Sequence, residues 1–370
     1  MFPTDPPTSP GGSLAAALLD WYDAGHRDLP WRQGRDPYRI WVSEIMLQQT
    51  TVATVLGYYD RFLARFPDVG ELARTDLTEV LRFWSGLGYY QRARNLHRAA
   101  IVIAERGAFP ETPDAWMELP GVGRSTAGAI FSISRNMWAP LLDANVRRVM
   151  ERLYGVAPEE KKREARLWEV SDAFGRESPR PGDTNQALME LGATVCLPAA
   201  PRCSLCPLAA SCQAREGEAM LLFTRPGGQK KKKPAPPRRE RVVLLPPDGS
   251  LLFVPRGEGR LLEGLYDLYG VASPGILPGT ALQEGPYAGC CAGRELFTVT
   301  HTYSHFREVV RVVALERAPG EGAGESLPGG GIVLPLSRSL DGPVPLTGVA
   351  KKILKKLAQE GWGGAGKEER

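Results

Sequence analysis

Cys196-Leu-Pro-Ala-Ala-Pro-Arg-Cys203-Ser-Leu-Cys206-Pro-Leu-Ala-Ala-Ser-Cys212 places four thiols in one short stretch. As thiolates at Cys196-x6-Cys203-x2-Cys206-x5-Cys212 they suffice for one tetrahedral ion or one cubane cluster. Chance packing explains them poorly, because free cysteine packs merely as a small hydrophobe. The remaining two of the six cysteines, Cys290 and Cys291, are adjacent, which is not the spread of a secreted disulfide framework. The clustering points to a metal in a reducing compartment. Spacing alone leaves zinc open, although structural zinc sites usually show two close Cys pairs and this stretch has one.

Upstream of the cysteines, from Ser13 to about residue 220, apolar residues recur at helical spacing: Leu14, Leu18, Trp21 and Tyr22, then Val52, Val55, Tyr59, Phe62 and Phe66. Gly107 reads as a helix stop, Thr112-Pro113 as a cap and first helical residue, and Asp76-x-x-Glu79 as a capping box. This half is expected to be all-helical, with roughly ten helices of ordinary length. Downstream, Thr224 to Arg241 holds Pro226-Gly227-Gly228, the run Lys230 to Lys233 and a Pro/Arg-rich end, which cannot build a core. Its plain reading is a solvated tether; its basic charge would add attraction to phosphate. Beyond it come short β-type runs, Val242 to Leu245, Leu251 to Val254, Phe297 to Thr300 and Val309 to Leu315, with a turn at Pro246 to Gly249 and a closing helix at Leu346 to Gln359.

The expected architecture is therefore multi-domain. A tail at 1–12 precedes a helical domain at 13–223 with the cysteine loop at 196–212; a basic Pro/Lys-rich linker at 224–240 leads to an α+β domain at 241–360 and a tail at 361–370. At 370 residues the chain fits two domains of common size. A hydrophobic fraction of 43% with 24% charged residues excludes a disordered chain, and the net charge of +4 is compatible with nucleic acid without requiring it. No apolar run long enough to span a bilayer occurs, and the N-terminus lacks a basic start and an apolar stretch, so a cytoplasmic protein without membrane association is expected.

Within the helical part, Leu119-Pro120-Gly121-Val122-Gly123 runs into Arg124-Ser125-Thr126-Ala127-Gly128. Gly121 and Gly123 permit positive φ and close backbone approach, so turn amides and a helix N-terminus can face one phosphate. In isolation this is an ordinary helical hairpin with a Gly turn. Glu44 lies in Trp41-Val42-Ser43-Glu44-Ile45-Met46-Leu47-Gln48-Gln49-Thr50, a setting apolar enough for desolvation to raise its pKa toward that of a useful acid. Asp143, in Leu141-Leu142-Asp143-Ala144-Asn145-Val146-Arg147-Arg148, precedes a helix carrying Val146, Val149, Met150 and Leu153. Taken alone, Asp143 is best explained as a helix cap and Glu44 as a solvated helix charge.

Taken together, the cysteine spacing, the Leu119 to Gly123 hairpin and Asp143 resemble the endonuclease III superfamily of DNA glycosylases over residues 13 to 220. Ser43 to Thr50 and Gly86-Leu-Gly-Tyr89-Tyr90-x-Arg92-Ala-Arg94-Asn95-Leu96 resemble its adenine DNA glycosylase (MutY) family specifically. The resemblance implies a [4Fe–4S] cluster on Cys196, Cys203, Cys206 and Cys212, and a monovalent cation at the hairpin. It implies removal of adenine opposite 8-oxoguanine or guanine in double-stranded DNA, with Glu44 as the acid protonating adenine N7 and Asp143 and Asn145 completing the catalytic set. Two carboxyls in different protonation states suit the chemistry, since the leaving base needs a proton and the oxocarbenium-like sugar a counter-charge. A base must also leave the stack, and Gln48 and Tyr89 match the wedge that fills the gap. Gln48 follows Glu44 by four residues, which in a continuous helix puts both on one face.

Leu29, Trp31, Arg32, Leu47, Ser125, Gln186 and Met189 match the adenine pocket; for Leu29, Leu47 and Met189 core packing explains the residue type equally well. Gly121, Val122, Gly123, Arg92, Arg147 and Arg202 are expected along the DNA backbone. Serine at 125 stands where strand-cutting relatives carry a Schiff-base lysine and some adenine-specific ones a tyrosine, which implies a monofunctional enzyme. A bifunctional glycosylase/lyase is thus disfavoured, and a non-catalytic iron–sulfur DNA-binding protein is disfavoured by the joint presence of Glu44 and Asp143. His301-Thr302-Tyr303-Ser304-His305-Phe306 and Gly264-Leu265-Tyr266-Asp267 resemble signatures of the family's nudix-like C-terminal domain, with Tyr303, Ser304 and His305 reading 8-oxoguanine. Tyr303 replaces the usual phenylalanine and adds a hydroxyl. The box of metal-binding glutamates of true nudix hydrolases is missing between 241 and 360, so recognition without pyrophosphatase activity is expected. A monomer is expected.

Overall fold

The computed structural model describes residues 13–215, 220, 223, 236–246, 248–257, 262–272, 276, 278–303, 306–317, 330–339 and 342–362. The chain forms two compact units, Met1–Arg74 with Arg94–Lys230, and Thr75–Ala93 with Lys231–Arg370. The helices up to the cysteines are α1 (Leu14–Gly25), α2 (Pro37–Leu47), α3 (Val52–Arg65), α4 (Val69–Arg74), α5 (Leu77–Trp84), α6 (Gln91–Arg106), α7 (Pro113–Met117), α8 (Arg124–Arg135), α9 (Ala144–Leu153), α10 (Arg163–Gly175) and α11 (Pro181–Thr194). Of these, α5 and the start of α6 fall in the second unit.

Side-chain caps start the helices where the sequence places them. Thr112 accepts from the Ala115 amide ahead of Pro113, Asp76 from Thr78, and Asp143 from both Asn145 and Val146. Each such cap contributes about 1 kcal/mol. In the first unit α2 packs on α3 and α8, and α11 packs on α1, α8 and α9. Trp41, Tyr59, Phe62, Phe66 and Trp116 are fully buried in its core. Glu44 therefore projects from a helix whose Ile40, Trp41, Val42, Ile45 and Met46 are all inside, and its carboxyl meets little water.

The second unit contains a four-stranded sheet and a three-stranded one. With β1 (Arg238–Leu245), β2 (Ser250–Pro255), β3 (Tyr266–Leu268), β4 (Gly270–Ala272), β5 (Cys290–Thr302), β6 (Arg307–Arg317) and β7 (Ile332–Pro335), the orders are β4-β1-β6-β5 and β3-β2-β7. β1 runs parallel to β6, and β4 and β5 are antiparallel to their neighbours. The two-residue period of β1 divides its side chains between two cores: Val243 and Leu245 join Phe253, Val310, Val312 and the helix α12 (Gly348–Gln359), while Val242 and Leu244 join Cys290, Val313 and Leu315. Ser85 binds this unit through its hydroxyl, which donates to Leu346 O at 2.9 Å, and through its carbonyl, which accepts from Lys351 Nζ at 3.1 Å.

β1 begins at Arg238, inside the stretch read as linker, because Arg238 to Arg241 pair with Arg307 to Val310 of β6. Residues 224–235, with the lysine run, lie outside the described residues. No helix among the described residues is long and apolar enough to cross a membrane.

Candidate active site

A cavity of about 570 Å³ opens in the first unit. Around it stand Leu29, Trp31, Arg32, Glu44, Leu47, Gln48, Ser125, Asp143, Asn145, Gln186 and Met189, so every residue matched to the adenine pocket meets both carboxylates at one place. Burial, reinforced by the negative charge of Asp143 and partly offset by Arg32, pushes the Glu44 carboxyl up to about 7. Burial raises Asp143 as well, against the backbone N–H groups of Val146 and Asn145, the charge of Arg148 and the Asn145 side chain. Its Oδ1 accepts from Asn145 N at 3.0 Å and Val146 N at 2.7 Å. Asp143 is thus a helix cap and a cavity wall at once.

Glu44 and Gln48 share the cavity for a different reason than helical periodicity. α2 stops at Leu47; Gln48 takes φ −56° and ψ 114°, Gln49 a left-handed φ of 55°, and Thr50 N donates to Leu47 O at 3.2 Å. This is the geometry of a type II turn, which normally places Gly or Asn where Gln49 sits. The turn carries Gln48 toward α8, where its Nε2 donates to Thr126 Oγ1 at 3.2 Å.

The sequence reading missed Glu190, Arg27 and Thr126, which also line the cavity. Glu190 is 2% exposed and accepts from Arg27 Nε at 2.7 Å, Arg27 Nη2 at 2.8 Å and Arg32 Nη2 at 2.8 Å. Burial works to raise its pKa, yet these hydrogen bonds prevail and hold the carboxyl below its ordinary value. The available signal was its position four residues after Gln186 on α11, a helix in which the neighbouring Ala187, Leu188 and Leu191 are apolar.

The hairpin joins α7 to α8. Gly121 has φ 82°, and a Cβ there would lie 2.8 Å from Asn95 Cβ. Gly123, by contrast, caps α8 with φ −92° and ψ 171°, so positive φ is not its purpose. Nothing lies within 4 Å of where its Cβ would be, which leaves the amide end of α8 open. The arginines assigned to the DNA backbone differ among themselves. Arg202 is exposed, and Arg147 forms a bidentate pair with Glu164 at 2.6 and 2.9 Å. Arg92 is buried: its guanidinium lies over Trp84 and Tyr89 and donates to Leu87 O and Gly88 O. Burial lowers its pKa to about 10. Arg92 therefore braces the glycine-bearing turn below Tyr89, itself 54% exposed with φ 48°.

The four cysteines ring a small cavity whose other walls include Val195, Pro201, Ala209 and Met220. Burial, with the neighbouring Cys196, Cys212 and Cys203 sulfurs, pushes the Cys206 thiol up to about 11. Four thiols around one space are the donor chemistry of a thiolate-bound metal group, whose positive centre would favour the ionised sulfurs. Among the described residues no group of His, Cys, Asp or Glu is placed to hold a single metal ion; the thiols surround a space. Two arginines of α9 fasten this loop. Arg152 Nη1 donates to Cys196 Sγ at 3.2 Å and Leu197 O at 2.7 Å, and Arg148 reaches Cys196 O at 2.7 Å and Asn145 Oδ1 at 2.9 Å.

In the second unit Tyr303 stacks on Phe306 at 4.5 Å, Arg239 lies over Phe306, and the Tyr303 hydroxyl donates to Glu308 Oε2 at 3.2 Å. Behind it, Asp267 accepts from Arg256 at 2.5 Å and Arg241 at 3.1 Å, and Arg241 pairs with Glu308 at 3.2 Å. Ser304 and His305 lie outside the described residues.

Comparison with known proteins finds likenesses over part of the chain. Residues 42–172 match the model of the HhH-GPD superfamily base excision DNA repair protein. The chain is 42% identical over 205 residues to the adenine DNA glycosylase of Buchnera aphidicola subsp. Acyrthosiphon pisum, covering 54% of this chain and 58% of that protein. It is 44% identical over 217 residues to the human adenine DNA glycosylase, covering 55% and 40%. The match thus spans roughly half the length of these relatives. A solved structure of a thermostable thymine-DNA glycosylase is 30% identical with a TM-score of 0.49, over 54% of this chain and 94% of that one. The matched segment, 42–172, holds the hairpin and both carboxylates, so the likeness to the HhH-GPD superfamily falls on the candidate site itself.

Proposed function

We propose that the chain is a monofunctional DNA glycosylase that removes adenine mispaired with 8-oxoguanine or guanine from duplex DNA. The observation that carries this reading is one cavity, roomy enough for a flipped base, that holds both Glu44, raised to about 7, and Asp143, fixed at the start of α9. Glu44 in its protonated form gives a proton to N7 of a flipped adenine, the bond from sugar to base breaks, and the base leaves neutral. Asp143, steadied by Asn145, faces the positive charge on the sugar; a water oxygen then bonds to that carbon and loses a proton. Ser125 offers no amine for a covalent intermediate, so the product is an abasic site. On the cavity wall, Arg32 and Glu190 are hydrogen-bonded to each other beside the space a flipped base would enter.

The open amide end of α8 and the Gly121 turn suit a phosphate, with a monovalent cation at the hairpin carbonyls; Arg202 extends the contact and Arg147 does so once it leaves Glu164. Gln48, at the turn that ends α2, and the exposed Tyr89 are the side chains assigned to fill the gap in the stack. Cys196, Cys203, Cys206 and Cys212 would hold a [4Fe–4S] cluster, which when bound supplies the positive centre that favours thiolate over thiol. Residues 13–223, although Thr75–Ala93 cluster with the second unit, are assigned to the glycosylase domain and 241–360 to a nudix-like domain that reads 8-oxoguanine through the loop of Tyr303, Ser304 and His305, in a cytoplasmic, nucleoid-associated monomer.

The test is single-turnover adenine release from duplexes with adenine opposite 8-oxoguanine, guanine or thymine, with and without alkali. Release favouring 8-oxoguanine, with strand breaks only after alkali, is the expected result. Absence of adenine release, or breaks without alkali, would overturn the reading.

A further inference from the structure

The backbone of 139–143 crosses one face of α8 and is held at every step. Ala139 O accepts from Asn185 Nδ2 at 2.9 Å, and the same nitrogen donates to Ser132 Oγ at 2.7 Å. Pro140 O lies where a Cβ on Gly128 would come within 2.3 Å. Leu141 O accepts from Ser171 Oγ at 2.9 Å, and Leu142 N donates to Ser125 Oγ at 3.0 Å. Asp143 follows and caps α9. Ser125, Gly128 and Ser132 are spaced to share one face of α8. That face is bare enough for a strand to lie flush on it.

We propose that Ser125 is a positioning residue for Asp143: its hydroxyl oxygen, in the first turn of α8, fixes the Leu142 amide and with it the bearing of the adjoining carboxylate in the cavity. The proposal rests on the reading of the cavity as the site of base release. Leu142 is buried and its amide bond to Ser125 is part-buried, so loss of the acceptor removes the one protein partner the structure gives that amide among the described residues. A protonated lysine at this position has no lone pair to offer, so a chain with an amine here must hold the segment by other means. Ser125 also stands two residues after the glycine that opens the amide end of α8, so the turn facing a phosphate and the segment bearing Asp143 share one anchor.

The experiment compares Ser125→Ala and Ser125→Thr with the unaltered chain in single-turnover adenine release, duplex affinity, thermal midpoint and amide hydrogen exchange at Leu142. Alanine is expected to slow release about tenfold, the consequence of an amide left without its acceptor, with duplex affinity nearly unchanged and the midpoint lowered by about 2 to 6 °C. Exchange at Leu142 should quicken by a similar factor, and threonine, which keeps the oxygen, should restore rate and protection. Release by the alanine variant as fast as by the unaltered chain would overturn the proposal, as would equal slowing by threonine, or a loss of affinity matching the loss of rate. If the unaltered chain releases no adenine, the functional reading fails by itself; unchanged Leu142 exchange in Ser125→Ala would then overturn the anchor independently.

Discussion

Glu44 and Asp267 are both carboxylates taken out of water, and they are handled in opposite ways. Asp267 is clasped by Arg256 and Arg241 in the second unit. Glu44 has the negative Asp143 as its largest charged influence, with Arg32 giving only partial relief, and its carboxyl rises to about 7. The same contrast recurs within the cavity, where Glu190 takes up Arg27 and Arg32. Burial alone therefore does not make a carboxylate an acid catalyst. What matters is whether nearby cations meet its charge, and in this chain the arginines are spent on the scaffold and withheld from Glu44.

Removing the uncompensated proton has the largest expected effect. Glu44→Gln should lower adenine release by about a thousandfold or more, as expected for loss of a general acid, with duplex affinity kept. In the unaltered chain release should fall as pH rises through about 7, because the proton must be on Glu44 to be given. The next effect strikes the compensated partner: Asp267→Asn leaves two arginines short of charge and should destabilise the second unit by about 3 to 5 kcal/mol in denaturant titrations. Equal stability there would break the contrast.

Glu44→Gln should meanwhile stabilise. The folded value of Glu44 lies above its ordinary 4.5, so the folded chain binds this proton more tightly, and stability drains as pH rises from 4.5 to about 7 and is level beyond. The variant should escape that loss, gaining about 3 kcal/mol over the unaltered chain at pH 8 and little at pH 4. The smallest effect belongs to Tyr303→Phe, which removes one hydrogen bond to Glu308 and should cost about 1 to 2 kcal/mol by thermal melting.

How much of this was legible in the sequence depends on the kind of signal. Helix starts at Thr112, Asp76 and Asp143 were readable because a cap is a local bargain between one side chain and its next amides. The long strands were readable from their runs of Val and Leu, whereas β3, β4 and β7 were missed. Three- and four-residue strands acquire their state from the partners β1 and β2 provide. Glu44 and Asp143 were recognisable from whole-segment likeness; residue type alone favoured a surface charge and a cap. Glu190 escaped because a buried charge reads as an exposed one until its arginines, some 160 residues away in the chain, are placed beside it. Arg92 misled for the converse reason, since an arginine in a DNA-directed segment can spend its donors on its own turn.

Gly128 bears on how such a chain can change over generations. Even the smallest side chain there would collide with the Pro140 carbonyl, so drift at this site is paid in the placement of Asp143. A position that need touch neither base nor phosphate is then among the least replaceable, and a mutational survey ranked by distance from the cavity would pass it by.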